Sequence, residues 1–486
     1  MADPRRRGGR PTGARAGGRP PAARRPADPA RLAAYDVLRA VRVDDAYANL
    51  VLPDVLRKHG LTGRDAGLAT ELAAGTIRRQ GTYDAILATC VDRPLAKVEA
   101  KVLDALRLGA HQLLSMRVPA HAAISTTVDL VRARIGQGPA GFANAVLRKV
   151  AAHDLPAWVR RVAPDPGTDP VGFGSVAHSH PRWVVAALTD ALAAAGRSDE
   201  LDALLAADNE APGVTLVARP GRIDRDALAA QAEGEPTAYS PVGVRLPGGD
   251  PGALPSVAAG DAGVQDEGSQ LVALALADAA EGGAGERWLD LCAGPGGKAA
   301  LLAALAAQRG ALLTANEAQE HRTALVRRAL SLPDGSLAPG VEDVVTGDGT
   351  APRWEPGTFD RVLVDAPCSG LGALRRRPES RWRRQPSDLR TLVPLQERLL
   401  GSALDLVRPG GTVVYATCSP VPAETVSVVD TVLAGRDDVE AVDATAVLPG
   451  VPDAAGPTLA TGAATVQLWP HAHRTDAMFV AVLRKR

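Results

Sequence analysis

From residue 255 to Arg486 the chain alternates short apolar runs with helix-length amphipathic segments, and that alternation leaves few architectures open. The runs are Trp288–Leu291, Ala311–Asn316, Val341–Thr346, Arg361–Val364 and Thr412–Ala416. Strands interleaved with helices in this order predict a mostly parallel, doubly wound sheet, an α/β Rossmann-like domain. In such sheets ligands and reacting groups collect outside the carboxyl ends of the strands. Three loops of unusual composition fall there: Cys292-Ala293-Gly294-Pro295-Gly296-Gly297-Lys298, Val364-Asp365-Ala366-Pro367-Cys368-Ser369-Gly370 and Ala416-Thr417-Cys418-Ser419-Pro420.

The first loop joins a strand to an Ala- and Leu-rich helix. Its glycines permit a tight turn and close approach of a ligand to a helix N-terminus, whose free N–H groups favour anionic or polar partners. A Walker A loop would need Gly at 292 and Ser or Thr at 299, where Cys292 and Ala299 stand. The dinucleotide pattern fits better: Gly294-x-Gly296-x-x-Ala299 matches GxGxx[GA], and Glu317 lies at a suitable distance to bind a ribose diol. Asp348, within Gly347-Asp348-Gly349 after the third strand, can reach an adenine amino group, although Asp-Gly pairs also mark plain turns. On this loop alone, nicotinamide or flavin binding stays open.

Other features set bounds. A chain of 486 residues is long enough for two or three domains. Its 55 basic and 55 acidic residues cancel, so any pull toward nucleic acid must come from a local patch. Four cysteines (Cys90, Cys292, Cys368, Cys418) without a CxxC pair speak against a disulfide framework or a metal ribbon and for a reducing, cytoplasmic setting; no metal is expected. No apolar stretch approaches the ~20 residues of a membrane span, so no membrane partner is expected. Residues 1–28 hold eight arginines among Gly, Pro and Ala and read as a disordered basic tail.

Residues 29–155 have helical periodicity. Val98, Val102, Ala105, Leu106, Gly109 and Leu113 form one stripe, Val128, Val131 and Ile135 a second, and Phe142, Val146 and Val150 a third, as in a compact all-helical bundle. Residues 156–254 are rich in Pro and Gly at both ends and read as a connecting subdomain, with a helical segment near Trp183–Leu205 and short strands near Val214–Ala218 and Val242–Leu246.

The cysteine loops narrow the chemistry. A single buried cysteine is usually a small core hydrophobe, but two in polar, turn-like contexts after strands, one with Asp365 three residues earlier, point to covalent work. Hydride transfer has no use for both. Methylation of a pyrimidine at C5 has, because C5 is a poor nucleophile until something adds at C6, and a thiolate suits that addition.

Here the chain resembles the RNA 5-methylcytosine methyltransferases, specifically the bacterial Sun/RsmB branch. The resemblance is carried by the CAGPGGK loop, Val264-Gln265-Asp266-Glu267-Gly268-Ser269-Gln270, the DAPCSGLG loop with the RRRPESRWR that follows it, and ATCSP. Tyr35–Leu38, Glu71–Thr76, Ala120–Ile124 and Gly141–Arg148 likewise resemble the NusB domain, an RNA-binding helical bundle. The resemblance implies a multidomain protein, an all-α NusB-like bundle followed, over 255–486, by an α/β Rossmann-like S-adenosylmethionine-dependent methyltransferase domain that forms 5-methylcytosine in 16S rRNA. It further implies that Cys292 to Lys298 seat S-adenosyl-L-methionine, that Glu317 holds its ribose and Asp348 its adenine, and that Cys418 attacks C6. Asp365 would lie at the cofactor and at N3 of the base, and Cys368 would assist proton removal at C5 and enzyme release. What helps Cys418 ionise is not visible in the sequence.

The target base must leave any helix to react. Arg375, Arg376, Arg377, Arg381, Arg383 and Arg384, with Trp382 among them, follow the first cysteine loop and are expected to grip RNA phosphates or stack on a base. The chain also departs from the usual family pattern. Gly294 replaces an alanine, a change expected to be tolerated; Glu317 follows Asn316 where a single Asp is more frequent; and Asp476-Ala477-Met478-Phe479 replaces Asp-Gly-Phe-Phe. The same reaction on tRNA, or a non-catalytic RNA-binding assembly factor, are the other readings, the latter opposed by the presence of Asp365, Cys368, Cys418 and the glycine loop.

Overall fold

The structure, a computed structural model, describes residues 27–486. All but the last two residues of the expected basic tail lie outside the described residues.

Seven helices open the fold: α1 (Pro29–Val43), α2 (Ala48–Lys58), α3 (Gly63–Arg78), α4 (Gln80–Cys90), α5 (Ala100–Leu114), α6 (Ala120–Arg134) and α7 (Gly138–Val150). Asp28 caps α1 by accepting the Arg31 N–H at 3.0 Å, ahead of a proline in the first turn. The expected stripes face a shared core: Val102, Ala105 and Leu106 on α5, Val128 and Val131 on α6, Val146 and Val150 on α7. Gly109 lets α5 and α7 touch, since a Cβ there would lie 2.7 and 2.9 Å from the Leu147 methyls. A further helix, α8 (Leu155–Val162), closes the bundle by burying Trp158, whose indole N–H donates to the Val150 carbonyl at 2.8 Å.

Next come α9 (Pro170–Ala177), α10 (Arg182–Ala194), α11 (Leu201–Ala207), β1 (Thr215–Ala218), α12 (Arg225–Gln231), β2 (Glu235–Pro236), β3 (Gly243–Arg245), α13 (Pro255–Ala258) and β4 (Ala262–Val264). The expected single helical segment is two helices, divided where Gly196 takes a positive φ of 70°. The strands form a small antiparallel sheet in the order β2-β3-β1-β4, whose last member comes from beyond residue 254.

The large sheet follows: α14 (Glu267–Asp278), β5 (Arg287–Asp290), α15 (Gly297–Arg309), β6 (Leu312–Glu317), α16 (Glu320–Ala329), β7 (Val341–Thr346), β8 (Phe359–Asp365), α17 (Ser380–Arg383), α18 (Leu389–Leu406), β9 (Val407–Thr417), α19 (Val426–Leu433), β10 (Val439–Val442), β11 (Val466–Gln467), α20 (Pro470–His473) and β12 (Phe479–Lys485). The order is β10-β12-β9-β8-β5-β6-β7, with β11 beside β12. Strands β7, β6, β5, β8 and β9 are parallel, and β12 runs antiparallel to its neighbours. Successive strand residues face opposite cores: Trp288, Leu363 and Val414 pack toward α14 and α15, while Leu289, Val362, Val413 and Tyr415 pack toward α18 and α19. Both faces are covered, which is why the strands read as continuous apolar runs. Chain progression reverses between β5 and β8, so the loops leaving them meet at the topological switch point, where a ligand crevice belongs.

Among the described residues no helix is long and apolar enough to cross a membrane.

Candidate active site

The glycine loop leaves β5 and enters α15. Gly296 adopts φ 112°, and a Cβ there would press within 2.7 Å of the Ala329 methyl, so this turn needs glycine both for its conformation and for its packing. At the end of β6, Glu317 turns back to the loop: its carboxylate accepts the Gly294 N–H at 3.1 Å and the Gln319 N–H at 3.0 Å. Arg322 bridges the two, donating to the Gly294 carbonyl at 2.8 Å and lying 3.4 Å from Glu317. A Cβ on Gly294 would collide with both Glu317 Oε2 and Arg322 Nη2. The absent methyl at Gly294 leaves the room that Glu317 and Arg322 occupy. Asp348, exposed at the end of β7, accepts the Thr350 N–H and hydroxyl on Oδ1, both at 2.8 Å, which lowers its pKa.

Asp290, the last residue of β5, did not stand out in the sequence. It is 1% exposed, and neither carboxylate oxygen has a side-chain or backbone donor within hydrogen-bond geometry. Burial first, and the charge of Asp365 second, push its pKa up to about 8. An unpartnered buried carboxyl, a carboxylate at the end of β6, a second at the end of β7 and a helix N-terminus suit a ligand with hydroxyl and amino donors, as S-adenosylmethionine has. The cradle thus fits that group.

Lys298, in the first turn of α15, donates to Asp365 Oδ2 at 2.8 Å. Burial works against its charge, but the charge and hydrogen bond of Asp365, with Cys418 and Asp290, hold its pKa above the ordinary value. Asp365 stands directly beside Ala416 in the β8–β9 register, which carries the two cysteine loops off the sheet side by side. Their sulfurs come within 3.4 Å. The S–H of Cys368 facing Cys418 lowers the Cys418 pKa most; burial and Asp365 oppose that, while Lys298 and Arg377 support it. The same contact, followed by burial, drives Cys368 well above the ordinary thiol range. The contact thus favours ionisation at Cys418 over Cys368.

Glu424 holds this geometry and was missed in the sequence. Fully buried, it accepts the Ser369 N–H at 2.7 Å, the Ser419 hydroxyl at 2.6 Å and the Gln396 amide at 3.2 Å, and the Ser369 hydroxyl also bonds to it. Each serine follows one of the cysteines. The Gly372 N–H closes the clamp on the Cys418 carbonyl at 2.9 Å.

The arginine cluster needs correction. Arg381 is fully buried and donates to the carbonyls of Arg78, Ser179 and Asp208 and to Asn209, at 3.0 to 3.4 Å. Arg383 holds the carbonyls of Val41 and Ala46 and pairs with Asp45 at 2.9 Å, while Trp382 packs over Gly81. Arg375 is buried against Arg474 and Asp476, and Arg376 pairs with Asp266 at 2.5 Å and with Asp476 at 3.2 Å. Arg384 props the Ser369 carbonyl at 3.1 Å. All five guanidiniums are occupied by partners within the protein; Arg375 and Arg381 are buried, where a cation persists only when its donors are met, and the other three are half-buried. Arg381 and Arg383 bolt the segment after the cysteine loop to the helical bundle, and Arg377 alone of the six is exposed with no side-chain hydrogen bond or ion pair to a described residue.

A mainly parallel sheet of this order with a glycine loop at its switch point, flanked by two cysteine loops and preceded by a helical bundle, fits an α/β methyltransferase joined to a NusB-type domain. Residues 278–484 match the family model described as 16S rRNA methyltransferase RsmB/F, and residues 28–152 match the NusB family. A Mycobacterium tuberculosis protein named "Putative methyltransferase MT1451" is 51% identical over 463 residues, covering 95% of this chain and 98% of that protein. The ribosomal RNA small subunit methyltransferase B of Pseudomonas putida is 36% identical over 416 residues, covering 83% and 88%. The solved structure of PH0851 shares the fold, with a TM-score of 0.75 at 21% identity over 94% of this chain and 99% of that one. The chain belongs to the RsmB/F family of 16S rRNA methyltransferases.

Proposed function

We propose that the protein uses S-adenosyl-L-methionine to form 5-methylcytosine in 16S rRNA through a covalent Cys418–C6 adduct. The observation that carries this reading is the 3.4 Å contact between Cys368 and Cys418, which favours the charge on Cys418 and the proton on Cys368.

The residues from Cys292 to Lys298, with Glu317, Asp348, Asp365 and Asp290, would hold the cofactor, which when bound supplies an electrophilic methyl group. The Cys418 thiolate adds to C6 of an unstacked cytosine, forming the S–C6 bond and moving the C5=C6 electron pair toward C5 and N3. Asp365, whose Oδ2 accepts from Lys298, would carry a proton on Oδ1 and donate it to N3, making C6 the better electrophile, and would take it back when the enzyme is released. C5 takes the methyl group and still carries its hydrogen. With the Cys418 charge consumed in the C–S bond, the main cause of Cys368's high pKa is gone, and Cys368 can give up its proton to solvent. As a thiolate it then removes the C5 hydrogen; the C5=C6 bond re-forms, the S–C6 bond breaks, and Cys418 leaves as the thiolate again.

Bisulfite sequencing of total RNA from cells with and without the gene tests activity and substrate together. One cytosine of 16S rRNA should lose its protection from conversion in the deletion strain. A lost site in tRNA instead would move the substrate, and no lost site would contradict the reading.

A further inference from the structure

We infer that Tyr47 of the helical bundle positions Arg377 to bind a backbone phosphate of the RNA strand beside the two cysteines. The inference rests on the proposed RNA methyltransferase activity and adds a binding contact assembled by two domains.

The Arg377 guanidinium lies with its Cζ 5.2 Å from the centre of the Tyr47 ring, and Arg383 Cζ lies at the same 5.2 Å from that ring. Two cations on one ring repel each other unless one is neutralised. Arg383 is neutralised: Asp45 pairs with its Nε at 2.9 Å, and its Nη2 donates to the carbonyls of Val41 and Ala46. The Arg377 side chain makes no hydrogen bond or ion pair to a described residue, so its N–H donors are free at the surface, although its charge acts on the nearby Glu379 carboxyl.

The mounting of Tyr47 is rigid. Glu379 accepts the Ala48 N–H at 3.2 Å, and Arg383 grips the chain just before the tyrosine, so the loop between α1 and α2 is tied at both ends to the segment that carries Arg377. Resting a guanidinium on an aromatic face leaves its N–H edge free to donate, in the fork geometry that suits phosphate. Arg377 also lies near enough to Cys418 for its charge to favour the thiolate. A phosphate at that edge would flank the nucleotide whose base reacts.

Methyl transfer to a 16S rRNA transcript and RNA binding across a salt series test the assignment. Arg377→Ala should raise KM for RNA roughly tenfold and flatten the log–log salt dependence of binding by about 0.7, the value of one single-strand phosphate contact. Tyr47→Leu should reproduce both effects, whereas Tyr47→Phe, which keeps the aromatic face, should behave as wild type. Wild-type KM and salt slope in Arg377→Ala would overturn the inference, as would equal damage in Tyr47→Phe and Tyr47→Leu. A wild-type protein that neither binds nor methylates RNA would overturn the activity on which it rests, and is thereby distinguished from either result.

Discussion

The hydroxyls of Ser369 and Ser419 lie 3.2 Å apart, one residue beyond each cysteine, and both bond to Glu424. The spacing of the two sulfurs is therefore fixed from below by a carboxylate that touches neither. Glu424→Gln keeps the volume but leaves one acceptor oxygen for four donors. Small misplacements of reacting groups cost on the order of a hundredfold in rate, and each hydrogen bond to a charged group contributes roughly 1.5–3 kcal/mol of stability. Steady-state kinetics and thermal melts should show kcat falling by about that factor with a lowered Tm; unchanged kcat would remove Glu424 from the account.

The two cysteines should fail differently. Cys418→Ser should abolish methyl transfer, while Cys368→Ser should still form the adduct and accumulate a protein–RNA complex that survives a denaturing gel. Loss of the S–H donor should also move the acid limb of adduct formation: Cys418 is held below the ordinary thiol range chiefly by Cys368, so in Cys368→Ala the limb should shift to higher pH. Single-turnover rates across pH read this directly.

Gly294 and Glu317 should behave as a coupled pair. Gly294→Ala forces Glu317 and Arg322 aside and should weaken cofactor binding about tenfold, the scale of a ~1.4 kcal/mol coupling. Adding Glu317→Asp shortens the acid and should recover most of the loss, measured by titration calorimetry. Additive damage in the double variant would contradict the coupling.

Asp290 should make the protein less stable as pH rises. Its folded pKa, about 8, lies above the ordinary carboxyl value, so the native state binds a proton that the unfolded chain has released, and stability falls from about pH 4 up through pH 8. Asp290→Asn cannot titrate, so the Tm difference between variant and wild type should move in favour of the variant between pH 5 and pH 9. A pH-independent difference would rule out the titration.

Much of this was legible in the sequence. The five apolar runs from Trp288 to Ala416 became β5 to β9 because strands buried on both faces must be apolar at every position, and the loops at their ends followed from chain direction. Asp290 and Glu424 were hidden for opposite reasons. Asp290 looks like the polar end of a strand, and only three-dimensional burial reveals that it lacks a partner. Glu424 lies in an unremarkable Pro-Ala-Glu turn, and its role depends on Ser369, which is 55 residues away. The arginines misled because charge density in sequence says nothing of what the charges face; Arg381, at 0% exposure, meets carbonyls of three separate segments. A signal did exist: Glu379 and Trp382 among them are residues of a packed junction rather than of a solvated loop.

The covalent role of Cys418 is the central claim, and it is tested most directly by mapping the adduct formed with RNA carrying 5-fluorocytidine, whose C5 fluorine cannot be removed as a proton. After nuclease and protease digestion, mass spectrometry should place the methylated fluoronucleotide on the peptide containing Cys418. A nucleotide on Cys368, or no adduct from a preparation that methylates normal RNA, would contradict the account.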